Sequence, residues 1–127
     1  MTMAGLFSAT EARLRDALVA AMIPAPGAGL PAAADVDLRA FWPRFEAAAP
    51  LHLRLGFRAS VLALGALPLA LGYGRSLADL DDDAREAFLQ RASALPGMVA
   101  LLDVAKIVVG LAYFADPGVE AIVRGAP

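Results

Sequence analysis

The side chains that could carry chemistry are few. His52 is the only histidine and there is no cysteine, so thiol nucleophiles, thiolate zinc sites and disulfides are all excluded. No G-x-S-x-G elbow presents a serine. Acyl-transfer hydrolysis therefore lacks both its nucleophile and a dedicated base, and His52, beside Arg54 near a helix start, reads as a packing or interface residue. Asp81, Asp82 and Asp83 could offer oxygen ligands to a cation, but consecutive helical residues point in different directions, so the run is expected to cap a helix instead. Gly72, Gly74 and Arg75 echo a phosphate-binding glycine loop without the preceding strand or the remaining spacing, and so predict a turn.

What remains is a set of side chains suited to holding a partner. Asp103, Lys106, Gly110 and Tyr113 recur at helical spacing in an otherwise apolar segment. A charge buried alone is costly, so Asp103 is expected to pair with Lys106, or with Arg58 across helices, as a structural ion pair or a polar spot facing a partner. Arg54 and Arg58, four residues apart, could lie on one face against an acidic surface or on a solvated one. Phe41, Trp42 and Phe45 form an aromatic corner that is either core or, at Trp42, an interface anchor. The candidate interface residues are thus Trp42, Phe45, Arg54, Arg58, Asp103, Lys106 and Tyr113, with no catalytic, metal or cofactor-binding residue among them.

These residues must be positioned by helices. The apolar spacing is helical throughout and never alternates with period two, which predicts an all-α, single-domain bundle of about five helices spanning residues 1–127 and no strands. Ser8 and Glu11 have the form of a capping box opening a helix over Ala9–Ile23. Pro24, Pro26, Gly27, Gly29 and Pro31 cannot continue it, so Pro24–Ala34 is a connector. Asp35 or Asp37 caps a short second helix with Phe41, Trp42 and Phe45. A long apolar helix follows from Pro50 to about Leu71, with Pro68 expected to kink or end it. A fourth helix starts near Asp81 with Ala84, Ala87, Phe88, Ala92 and Leu95 inward. A fifth, Met98–Phe114, is apolar nearly all round and so expected to be central. Gly118–Val123 adds a last short turn.

Composition sharpens the question of a partner. Of the 127 residues, 59% are hydrophobic, rich in Ala and Leu, and mean hydropathy is +0.61, against roughly 45–50% apolar in ordinary soluble domains. A domain this small has little interior in which to hide the excess, so an apolar patch, a partner or a membrane is implied. Net charge of −2 and a pI near 5.2 exclude a phosphate-neutralising basic face, and with it nucleic acid. Lys106 is the sole lysine among 11 basic residues, a bias fitting a bacterial genome rich in GC. No secretory signal pattern opens the chain, which gives a cytoplasmic expectation. The apolar runs Ala59–Gly74 and Ser93–Phe114 are interrupted by Pro68 or carry Asp103 and Lys106, so membrane association is the less favoured outcome.

Taken together, the helix ending in Ile23-Pro24, the Pro/Gly connector, the segment DVDLRAFWPRFE and the long helix after it resemble the small-subunit family of gluconate 2-dehydrogenase type. A similar helical segment precedes the flavin domain in long-chain fatty alcohol oxidases of the glucose-methanol-choline family. GRSLADLDDDAREAFLQR followed by LLDVAKIVVGLAYFADP is similar to the second half of that pattern. The resemblance implies a non-catalytic accessory or chaperone-like subunit. It would pack by its helices on a flavoprotein that oxidises alcohols, sugars or steroids, with FAD held by that partner and no cofactor bound by this chain alone. The chain has no twin-arginine leader, unlike exported members, and no Rossmann fingerprint. The alternative reading is a small helical binder of a lipid or steroid, with Arg54, Arg58 or Lys106 at a polar head.

Overall fold

The computed structural model describes residues 9–23 and 29–125 and is all-α. Its helices are α1 Ala9–Met22, α2 Phe41–Ala48, α3 Leu51–Ala70, α4 Asp82–Ser93, α5 Met98–Phe114 and α6 Pro117–Val123. Single 3-10 turns at Ala33–Asp35 and Leu77–Asp79 link α1 to α2 and α3 to α4. No strand occurs among the described residues. The sixth helix is the segment expected as a last short turn: Pro117 occupies its first turn and the Asp116 carboxylate accepts from Val119 N–H at 3.0 Å.

Local chemistry accounts for most of the boundaries. Asp81 caps α4, its side chain accepting from Ala84 N–H at 2.8 Å, with Asp82 and Asp83 in the positive first turn. The second helix departs from expectation: its cap position is Ala40, while Asp37 instead accepts from the backbone and side chain of Arg39. Ser8, and with it the first half of the expected capping box, lies outside the described residues, as do Pro24, Pro26 and Gly27 of the connector. The connector nevertheless returns to its origin, since Ala33 N–H donates to Ile23 O at 2.9 Å.

Pro68, expected to kink or end α3, lies two residues before its end at Ala70. It sits in the last turn, where losing one N–H removes a single bond near the helix end. The stop comes two residues later, when Gly72 adopts φ +92° and Tyr73 N–H reaches back to Pro68 O at 3.0 Å, a glycine-dependent left-handed closure.

One apolar cluster links all six helices. α3 packs on α5 and on α1. Gly56 of α3 lies against Val104 of α5, and Ser60, four residues later, donates its hydroxyl to Leu101 O at 2.9 Å. Rising numbers on α3 therefore meet falling numbers on α5, and the two helices run antiparallel. On the other side of α3, Gly65 accepts the Leu14 side chain of α1 so closely that an added Cβ would lie 2.9 Å from its methyls. Small residues thus set both approaches. Leu18, Phe57, Val61, Leu64, Phe88 and Val108 fill the space between, fully buried.

Candidate functional site

The aromatic corner is interior. Trp42 stacks on Phe57 at 5.6 Å between centroids, Phe45 meets Phe57 edge-on, and both Trp42 and Phe45 are buried. The Arg15 guanidinium covers Trp42 at 4.5 Å while pairing with Asp16 at 3.0 Å. Trp42 and Phe45 hold α2 to α3 and α1 and leave no ring free to enter a partner. Tyr113 is buried as well, donating its hydroxyl to Pro31 O at 2.6 Å, and thereby ties α5 to the end of the connector. Burial first, and then the Asp116 carboxylate, raise its pKa above 10.0.

The two α3 arginines face inward tasks also. Arg58 donates through two nitrogens to Glu11, at 3.3 and 2.8 Å, clamping α3 to α1. Arg54 donates to Ala49 O at 3.1 Å, across the junction between α2 and α3. The expected pairing of Asp103 with Arg58 is therefore replaced by Glu11–Arg58, and the pairing of Asp103 with Lys106 does not form either. Both side chains are exposed on α5 and neither makes an ion pair with a described residue. The proposed stripe divides: Asp103 and Lys106 face solvent, Gly110 is half-buried, and Tyr113 points into the core.

α5 is thus central on one side only. Its outer face carries Val99, Ile107, Leu111 and Phe114, each about half exposed, around Asp103 and Lys106. The outer face of α3 carries Leu51, Leu55, Ala59, Ala66 and Leu69, also exposed, with His52 at the first turn and Arg58, held by Glu11, at its edge. Because α3 and α5 pack directly on one another over one core, their outer faces adjoin. Seven large side chains about half exposed amount to on the order of 600–700 Å² of apolar surface, at the upper end for a monomer. This surface was not legible as a surface in the sequence, where α5 looked apolar all round and α3 simply long. The signal was the excess of apolar residues.

At one edge of this face, Phe41, Ala48, Ala49, Pro50, Leu53 and Leu111 line an open groove of about 480 Å³ with Arg44 at its rim. A second cleft, about 290 Å³ between α1 and the first 3-10 turn, holds Arg15, Asp16, Asp37 and Arg39. Its charges are paired internally: the Arg39 guanidinium grips Asp37 at 2.8 Å and draws that carboxyl down to about 2. Among the described residues no three His, Asp or Glu side chains converge as metal ligands. His52 stands exposed at the start of α3, Gly72 and Gly74 both take positive φ in a turn, and Asp81 caps α4 with Asp82 and Asp83 in its first turn.

The chain matches no protein-family model, and no curated protein or solved structure matches it either.

Proposed function

We propose that this chain is a non-catalytic accessory subunit that packs the outer face of α3 and α5 against a larger protein. The supporting observation is that face itself: Leu51, Leu55, Leu69, Val99, Ile107, Leu111 and Phe114 stand about half exposed together on one side, while several of the polar groups singled out in the sequence are used internally. Arg58 is held by Glu11, Tyr113 by Pro31, and Asp81 caps α4. The resemblance to the gluconate 2-dehydrogenase small subunit supplies the partner's kind, an FAD-dependent oxidoreductase of glucose-methanol-choline type acting on alcohols, sugars or steroids. In this reading the flavin and the redox step belong to the partner, and this chain stabilises or escorts it, as a cytoplasmic complex of bacterial origin.

The test is a pull-down of tagged chain under mild lysis, with mass spectrometry and an absorbance spectrum of the eluate. A stoichiometric yellow flavoprotein that is retained by wild type and lost with Leu111→Glu supports the reading. A chain that elutes alone, or the same partner retained by the variant, ends it. A second reading, a binder of a small apolar ligand, is favoured by the groove beside Leu53 and Leu111 with Arg44 at its rim. Lipid or steroid extracted from colourless purified chain would promote it over the first.

A further inference from the structure

From the same face we infer a second occupant: in the free chain, another copy of this chain covers it, related by a two-fold axis that crosses α3 and α5. The charges argue for this. Asp103 and Lys106 sit three residues apart on the exposed side of α5, opposite in sign, and neither makes an ion pair with a described residue. A two-fold axis passing between them lays α5 antiparallel on its own copy, so Asp103 meets Lys106 of the second copy and Lys106 meets its Asp103. One unpartnered pair becomes two reciprocal ion pairs, the self-complementarity that an isologous interface requires.

The second helix fits the same axis. Gly56 lies beside Val104, so Leu55 is level with the Asp103–Lys106 segment, and the axis that pairs these charges brings Leu55 against Leu55 of the second copy. Leu51, four residues earlier, then falls over Ala59 of the second copy, four residues later, large against small. Arg58, 39% exposed at its side chain, borders this side of α3, and its charge is already held by Glu11. The exposed apolar area, on the order of 600–700 Å² per copy before counting the alanines, approaches the roughly 800 Å² per partner of a stable interface.

A lipid surface is the competing occupant. α3 is long and apolar enough to cross a membrane by length and composition, with 33% of its apolar window buried. The hydrocarbon of a bilayer, however, offers no partner to Asp103 and Lys106, whereas a second copy satisfies both. The inference concerns the free chain and stands apart from the accessory reading; a larger partner taking this face would displace the second copy.

Sedimentation equilibrium of the purified full chain decides it, with Asp103→Lys, Lys106→Asp, the double exchange and Leu55→Glu, each checked for helicity by circular dichroism. The wild type is expected to be a dimer. Each single reversal sets like charges opposite one another and raises the dissociation constant by roughly tenfold or more, and the double exchange restores it to within about threefold. Leu55→Glu, at the axis, gives a folded monomer. A wild-type monomer at every concentration overturns the inference, whether or not the chain floats with phosphatidylcholine vesicles. So does a dimer indifferent to the single reversals, or one that the double exchange fails to restore. Capture of a flavoprotein in the pull-down bears on the accessory reading alone.

Discussion

Tyr113 shows how one hydroxyl fixes the position of an element. Its buried O–H donates at 2.6 Å to the half-buried Pro31 O, so Tyr113→Phe leaves that carbonyl without its donor. The expected loss is about 1–2 kcal/mol of unfolding free energy, read by urea denaturation at neutral pH. The pH dependence follows from the raised pKa. In the unfolded chain the phenol ionises near 10; in the folded protein, burial and Asp116 delay ionisation to higher pH. The contribution is therefore fully present below pH 10 and is lost as the pH rises from there through the folded value. Tyr113→Phe should remove that part of the alkaline decline, and an unchanged slope above pH 10 would refute the assignment. Glu11 and Arg58 act likewise between α1 and α3. With Arg58 39% exposed at its side chain, water screens the pair, and Arg58→Met is expected to cost only about 1 kcal/mol by the same measurement.

Two glycines in one helix should respond in opposite directions to the same substitution. At Gly56 an alanine Cβ would meet Val104 at 3.5 Å, ordinary contact, so the gain in helix propensity of roughly 0.5–1 kcal/mol is realised. At Gly65 the Cβ would lie 2.9 Å from both Leu14 methyls and 3.1 Å from its Cβ, an overlap that costs about 1–3 kcal/mol and outweighs the propensity gain. Thermal melts of Gly56→Ala and Gly65→Ala should move up and down respectively; a shared direction would mean that α1 does not approach α3 as described. The helices themselves could be read from the sequence because their signals are local: helical apolar spacing and Asp81 ahead of α4. Side-chain partners could not. Arg58 finds Glu11 across 47 positions, a choice made by the α1–α3 crossing, and Asp103 is exposed because α5 is covered on one side only. Trp42 illustrates the same limit, since its type suits an interface anchor and a core equally, and only Phe57 beneath it and Arg15 above it settle the matter.

For the molecule as a whole, the division between core and outer face should appear as two kinds of stability. Phe57 is fully buried and stacked on Trp42, so Phe57→Ala opens a cavity and lowers the unfolding free energy by about 3–5 kcal/mol at any protein concentration. Ile107 and Leu69 are 56% and 55% exposed. Replacing them together by glutamine, whose stem keeps part of the packing, should cost the isolated chain less than about 1 kcal/mol. Whatever covers the face, a second copy or a larger partner, binds the folded form alone, and mass action then ties stability to the concentration of that occupant. For the purified chain the occupant is the chain itself. The wild-type melting temperature should accordingly climb over a roughly hundredfold range of protein concentration, as expected of linked folding and association. In Ile107→Gln/Leu69→Gln the climb should flatten while the value at the lowest concentration hardly moves. Phe57→Ala should do the reverse, shifting the whole curve downward with its slope intact. A wild-type melting temperature independent of concentration would mean that the face stays uncovered in the free chain, leaving a larger partner as its only protein occupant.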